Sequence, residues 1–249
     1  MTSNQAWKLV LLGLGAGFLS GMFGVGGGIL IVPGLIAIMG FTPRLASGTS
    51  LTTIVPLAIV GVFTYRDDVS WAAAGLLALG GLVGAQLGTW LLSKIPSKIL
   101  QRFFAIFMIA STVMLFLAVP SRDADISIHW GGAVALVALG FAVGTLSGLL
   151  GVGGGVIVVP ALMLLFGASD LVAKGTSLLM MIPSALAGTV PNLMRKNLDV
   201  KAALIVGLSA CATTFLGSHV AHLVSPLIAN ICFAVFLVII AIRMLIKSR

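Results

Sequence analysis

The stretch GVGGGILIVP runs from Gly24 to Pro33 and returns almost unchanged as GVGGGVIVVP from Gly151 to Pro160, an offset of 127 residues. The same offset relates LSG at 19–21 to 146–148 and GTSL at 48–51 to 175–178. A match kept in one register over so many positions predicts two copies of one structural unit. We therefore expect a first repeat over residues 1–120, a polar linker over 121–129 and a second repeat over 130–249.

The composition of both repeats is that of a membrane protein. Of the 249 residues, 59% are hydrophobic and only 8% are charged, and the mean hydropathy is +1.21. A soluble fold could not bury so much apolar surface. The apolar residues come in runs of roughly 16 to 22 positions, the length that a helix needs to cross about 30 Å of hydrocarbon. The sequence therefore predicts an all-α integral membrane protein.

Each repeat contains the same series of apolar segments. A stretch broken by the glycine run, at 8–40 and again at 135–167, precedes three transmembrane helices in each repeat. These helices are predicted near 43–64, 71–92 and 99–119, and near 170–191, 200–221 and 227–246. If the broken stretch were one kinked span, basic residues would lie on both membrane faces and the positive-inside signal would cancel. If it is a hairpin, only Arg66, Arg122 and Lys174 of the 14 basic residues lie opposite the rest.

The positive-inside rule therefore favours a re-entrant hairpin with a glycine-rich tip in each repeat. A hairpin followed by three spans crosses the membrane an odd number of times, so the two repeats are predicted to be inverted relative to each other. Both termini then lie in the cytoplasm. We expect a multi-pass protein of the inner (plasma) membrane.

The glycine run has a predicted role in binding. The segment from Ile29 to Gly40 forms roughly 18 Å of helix, too short to span, so the turn before it is expected inside the membrane. Irregular backbone at that depth is tolerated only against protein or a water-filled cavity. A helix that begins after the turn directs free N–H groups and about half a positive charge toward it. Inversion is expected to bring two such tips to a common centre, where they form an anion site.

The predicted substrate-binding set combines the tip glycines with polar side chains of the spans. Hydroxyl groups at the start of the next span supply donors, and two amides are added. Gln86 lies near the middle of a span, where a structural hydrogen bond between helices is an equally good interpretation, and Asn192 lies at a span end. The set is Gly26, Gly27, Gly28, Thr49, Ser50, Gln86, Gly153, Gly154, Gly155, Thr176, Ser177 and Asn192.

Several other classes of function are disfavoured. No GxGxxG or phosphate loop is completed, because position 29 is Ile. The basic residues flank apolar runs singly or in pairs, so no nucleic-acid partner is expected. The six acidic residues are all aspartates in predicted loops or at span ends, which excludes a buried carboxylate relay. Ser20 and Ser147 have no base nearby in sequence, so we expect no catalytic residue, and no metal or cofactor either.

The doubled motif GVGGGILIVP and GVGGGVIVVP, each copy followed about fifteen residues later by GTSL, resembles the signature of the TauE/SafE sulfite-exporter family. The resemblance covers nearly the whole chain. It implies a permease for a small organosulfur anion such as sulfite, sulfoacetate or thiosulfate. It also implies that the tip glycines line the pathway, with Thr49, Ser50, Thr176 and Ser177 beside it.

The leading hypothesis is a secondary transporter in the lipid bilayer that works by alternating access. Its coupling ion is left open between sodium held by carbonyls that Pro56 and Pro183 free, a proton carried on the substrate, and a proton on His129, His219 or His222. The protein could form an oligomer, which the sequence leaves open. The alternative is a membrane scaffold or assembly factor that uses the same fold without moving a solute.

Overall fold

The computed structural model describes residues 3–117 and 130–247, and every regular element within those ranges is helical. The first half contains α1 (Ser3–Phe23), α2 (Gly28–Met39), α3 (Pro43–Thr64), a 3-10 turn (Arg66–Asp68), α4 (Trp71–Lys94) and α5 (Ser97–Leu117). The second half contains α6 (Trp130–Leu150), α7 (Gly155–Phe166), α8 (Asp170–Met194), α9 (Val200–Leu223) and α10 (Pro226–Lys247). The predicted linker, 121–129, lies outside the described residues.

The helix lengths confirm the predicted class. Within the described ranges, six helices are long and apolar enough to cross a membrane, namely α1, α3, α4, α6, α8 and α9. The helices that follow the glycine runs, α2 and α7, have 12 residues each, which is shorter than a span. The two halves also follow the same order of long and short helices. The protein is therefore all-α with membrane-length helices, and the inversion of its halves stays a prediction.

Each glycine run closes a helical hairpin. In the first half, a Cβ atom added at Gly34 would overlap Leu12, and one at Gly27 would lie 2.9 Å from the carbonyl oxygen of Ala16. Positions that rise along α2 thus contact positions that fall along α1, so the two helices are antiparallel. In the second half, Gly154 contacts Val143 and Gly132 faces Phe166 in the same manner. The broken stretches are hairpins and not kinked spans, as the charge pattern indicates.

The two halves are interlocked by close helix packing. Helix α1 of the first half lies along α9 of the second, and α4 lies along α6. Glycines make these approaches possible, because Gly84 and Gly88 of α4 sit directly on backbone carbonyls of α6. Gly17 and Gly21 of α1 sit on backbone carbonyls of α9. A buried core therefore forms between the halves as well as within each half.

The α4–α6 contact predicts the effect of one substitution. Gly84→Leu should lower the thermal stability of the purified protein in detergent, because its Cβ would overlap the carbonyl oxygen of Phe141. Overpacking of this kind costs about 1–3 kcal/mol. Gly75→Leu in the same helix is the control, since nothing lies within 4 Å of a Cβ added there. Equal melting temperatures for the two variants would contradict the packing described here.

Candidate tip site

The two glycine turns, 24–28 and 151–155, are buried and touch each other. Gly28 begins α2, and a Cβ added to it would lie 2.5 Å from the carbonyl oxygen of Gly151. Gly155 begins α7, and a Cβ added to it would overlap the carbonyl oxygen of Gly24. The tips of the two short helices therefore meet, as the sequence predicts.

Backbone conformation explains why these turns are made of glycine. Gly26 and Gly27 have φ angles of 77° and 69°, and Gly153 and Gly154 have φ angles of 92° and 86°. Residues with a side chain rarely adopt this left-handed region, which costs them roughly 1–2 kcal/mol each. Two successive left-handed residues reverse the chain and start the short helix at once.

The start of each short helix leaves hydrogen-bond donors at the tip. In α2 the N–H groups of Leu30 and Ile31 both donate to the carbonyl of Gly27. No oxygen atom of the described residues accepts from the N–H groups of Gly28 and Ile29, the first two of the helix. The start of α7 repeats this arrangement, with Gly154 as the acceptor. Both tips thus present backbone donors and the positive end of a helix dipole.

One serine of the opposite half holds each turn. The hydroxyl of Ser50 in α3 donates to the carbonyl oxygen of Gly151 at 2.6 Å. The hydroxyl of Ser177 in α8 donates to the carbonyl oxygen of Gly24 at 3.0 Å. Both hydroxyls are buried, so each satisfies a carbonyl that water could not reach. Each serine therefore pairs the first carbonyl of one turn and leaves the turn donors in place.

Thr49 and Thr176, the residues before these two serines, bond to other parts of the fold. The backbone N–H of Asp199 donates to the Thr49 hydroxyl at 3.1 Å, and that of Ser70 donates to the Thr176 hydroxyl at 3.0 Å. Asp199 and Ser70 are the residues before α9 and α4. The threonines consequently fix the starts of these two helices and do not contact the tips through these bonds.

Two equivalent apolar side chains close the space beside the tips. A Cβ added at Gly26 would lie 2.6 Å from the Met181 sulfur and 3.3 Å from Ile54. One added at Gly153 would lie 3.0 Å from Ile54 and 3.2 Å from the same sulfur. Ile54 and Met181 are fully buried and are related by the repeat offset. Both side chains therefore pack against both tips.

The two amides of the predicted set lie elsewhere. Gln86 is exposed on α4, so the structure does not bring it to the tips. Asn192 is fully buried against Gly48, near the start of α3, and its Nδ2 donates to the carbonyl of Gly188 at 2.9 Å. It belongs with the Thr49 contact and not with the tip glycines. The expected substrate contact by Gln86 is corrected on this ground: its side chain lies on the outer face of the helix bundle.

A buried ion pair lies beside the first glycine turn. Asp170 opens α8, as predicted for a span end, but the side chains of Asp170 and Lys174 are only 4% and 5% exposed. The Lys174 ammonium lies 3.0 Å from the Asp170 carboxylate. Lys174 is three residues before Ser177 and packs directly against Gly24. A lysine and an aspartate four residues apart at a helix start were the sequence signal for this pair.

Tyr65 also joins the tip region without having been predicted to. Its hydroxyl donates to the carbonyl oxygen of Gly21 at 2.7 Å, just before the first turn. Burial, followed by the negative charges of Asp170 and Asp68, raises the pKa of this phenol above its ordinary value. The phenol therefore stays protonated and remains a donor. Asp68 in turn pairs with His222 at 3.2 Å, which fastens the 3-10 turn to α9.

The arrangement suits an anion and offers little to a metal. The tips supply N–H donors and positive dipole ends, and the nearest charged pair includes a lysine. Among the described residues, no three His, Cys, Asp or Glu side chains are grouped so as to hold a metal ion.

Helices of membrane length, interlocked halves and two half-helix tips that meet in a buried centre define a polytopic transport protein. Residues 9–244 match the family described as sulfite exporter TauE/SafE, so the chain belongs to that family. It is a multi-pass membrane transporter, and the family is not a class of enzymes.

Relatives support the same class. The chain is 30% identical to the probable membrane transporter protein YunE of Bacillus subtilis, over 77% of this chain and 79% of the relative. A probable membrane transporter protein of Xylella fastidiosa is 31% identical over 69% of this chain and 68% of its own. The probable transporter YjnA of Bacillus subtilis is 25% identical over 88% and 91%. No solved structure matches the chain.

The crossed serine bonds predict a loss of stability. Ser50→Ala and Ser177→Ala should each destabilise the folded protein by about 1–3 kcal/mol, because a buried carbonyl is left without a partner. Thermal unfolding in detergent measures the effect. Ser111→Ala is the control, since its buried hydroxyl donates only within its own helix, to Phe107 at 2.8 Å. An equal loss of thermal stability in all three variants would show that the bonds between the halves stabilise the protein no more than a bond within one helix.

Proposed function

We propose that the protein is a secondary transporter that binds one small anion between the N-terminal tips of α2 and α7. The observation that carries this proposal is the meeting of two buried helix starts whose first N–H groups, at Gly28 and Gly155, have no acceptor among the described residues. Helix starts bind anions because their free N–H groups point at the ligand and the positive end of the helix dipole lies there. The tip glycines let the anion approach the backbone closely.

The twelve predicted residues take different parts in this site. The six glycines form the two tips, and Ser50 and Ser177 hold them. Thr49, Thr176 and Asn192 act as supports for the surrounding helices. Gln86 is left out, because it is exposed on α4. In this division the direct contacts to the anion come from backbone groups, which require no side-chain charge.

Lys174 supplies a cation on one side of the site. It lies against Gly24, and its partner Asp170 is equally buried. An anion that reaches the first tip competes with Asp170 for the ammonium group. The equivalent position in the other half is Ser47, whose hydroxyl donates to the Leu150 carbonyl at 3.0 Å. The site is thus reached past a lysine from one direction and past a serine from the other.

Transport by alternating access requires the closed centre to open to each side in turn. Ile54 and Met181 contact both tips, so they must move before an anion enters. Methionine has three rotatable bonds, which suits it to a moving contact. We propose that each half tilts against the other about this centre. The inner-membrane location and the cytoplasmic termini remain predictions from the charge pattern.

An organosulfur anion such as sulfite, sulfoacetate or thiosulfate is the proposed substrate class. The family description, sulfite exporter, supports it. The coupling ion is proposed to be a proton or sodium. His222 is paired with Asp68 at 3.2 Å and His219 is exposed, whereas His129 lies outside the described residues. A proton carried on the substrate itself is therefore the first coupling to test.

The tip glycines predict a loss of transport. Gly27→Leu or Gly154→Leu should abolish anion flux, because the side chain enters the tip region where Leu57 or Val143 already lies. Gly40→Leu and Gly167→Leu are matched controls: both have φ of 66° and nothing within 4 Å of an added Cβ. They share the left-handed strain but keep the tips unchanged. Equal flux in tip and control variants would sink the site assignment.

Flux into proteoliposomes tests the function itself. Sulfite, thiosulfate, sulfoacetate, acetate and a cation are offered with and without proton and sodium gradients. We expect selective anion flux, because the tips supply donors and positive dipole ends. The dependence on each gradient identifies the coupling ion. Absence of flux for every solute under every gradient would favour the alternative, a membrane scaffold or assembly factor.

A further inference from the structure

We infer that Ser20 and Ser147 are substrate-binding residues that donate one hydroxyl hydrogen bond each to an oxygen atom of the transported anion. This inference rests on the proposed function and adds side-chain contacts that favour an oxyanion. The two serines are equivalent positions of the repeat, within its LSG motif. They lie in the last turns of α1 and α6, immediately before the glycine turns.

The two hydroxyls are exceptional among the buried hydroxyl groups of the described residues. Ser20 is 0% exposed and Ser147 is 2% exposed, and neither hydroxyl oxygen has a hydrogen-bond partner. The other buried serines and threonines all have one. Examples are Ser184, which donates to the carbonyl of Met180 at 3.0 Å, and Thr214, which donates to that of Ala210 at 2.9 Å. Buried hydroxyls are normally paired in this way, within a helix or across helices.

The position of the serines connects them to the tips. The N–H of Gly24 donates to the Ser20 carbonyl at 2.9 Å, and that of Gly151 donates to the Ser147 carbonyl at 2.7 Å, so each serine backbone holds the first residue of a turn. The Ser147 Cβ atom is 3.8 Å from a Cβ added at Gly154, the residue that caps α7. Ser20 is the equivalent residue of the first repeat, at an offset of 127.

The chemistry of the group points to an oxygen-rich anion. A hydroxyl donates a single, directional hydrogen bond, and a bond to a charged oxygen is among the stronger ones in proteins. The N–H groups of Gly28 and Gly155, which begin the short helices, are donors as well. A pyramidal or tetrahedral oxyanion has oxygen atoms on several sides, so it can accept from both halves at once. A halide ion has no oxygen atoms to accept at fixed directions, so the hydroxyls favour an oxyanion over a halide.

Conservative substitutions separate a binding role from a structural one. We expect Ser20→Ala and Ser147→Ala each to raise the apparent KM for sulfite at least about tenfold, the loss of one hydrogen bond to a charged oxygen. Flux of chloride, where it occurs, should change less. Ser20→Cys and Ser147→Cys keep the buried volume but donate weakly, so they should show the same direction of change. Ser184→Ala is the control, because its hydroxyl bonds only within α8.

A second readout excludes a merely structural effect. Without substrate, the Ser20 and Ser147 variants should melt at or above the wild-type temperature, because no protein hydrogen bond is lost. With sulfite, the wild-type melting temperature should rise and the variants should show a smaller rise. Wild-type KM and wild-type sulfite shift in both serine variants would overturn the inference, as would a lowered melting temperature without substrate.

Failure of the proposed function is seen separately, in the wild-type protein. If wild type shows neither saturable anion flux nor a sulfite-dependent shift, the transporter proposal fails first. If wild type shows both and the serine variants behave like wild type, only the role of Ser20 and Ser147 is overturned.

Discussion

The structure depends on hydrogen-bond partners for the backbone groups of two irregular turns inside an apolar interior. A helix pairs its own backbone groups, but the turns at 24–28 and 151–155 cannot, and unpaired polar groups in such a place cost free energy. Each half supplies a hydrogen-bond donor to the turn of the other half. Ser50 donates to the Gly151 carbonyl, and Ser177 donates to the Gly24 carbonyl. Because each half supplies the partner that the other lacks, neither hairpin tip is complete alone.

This exchange decides what chemistry remains at the centre. The serines occupy the first carbonyl oxygen of each turn, and the N–H groups that begin α2 and α7 have no acceptor among the described residues. In the proposed transport cycle, these donors attract a negative ligand with little fixed charge, which also allows its release. Release is as necessary to a transporter as binding. The one ion pair close by, Lys174 with Asp170, breaks the symmetry between the two approaches.

Much of the architecture could be predicted because it depends on repeated patterns. The offset of 127 residues, the apolar run lengths and the glycine turns fix the helices, the hairpins and the meeting of the tips. The sequence could not show which side chains face the centre. Gln86 lies at a suitable depth, yet its helix turns it outward, whereas Ile54 and Met181 carry no chemical signal and still contact both tips. Such orientations depend on helix rotation, which packing determines.

The most direct test of the shared tip site is anomalous diffraction from crystals grown with selenite, a heavier analogue of sulfite. If the two tips bind one anion, a single selenium peak should lie between them, close enough for the selenite oxygen atoms to accept from the N–H groups of Gly28 and Gly155. A peak elsewhere in the protein, or none at selenite concentrations that inhibit sulfite flux, would contradict a site built from the two helix starts.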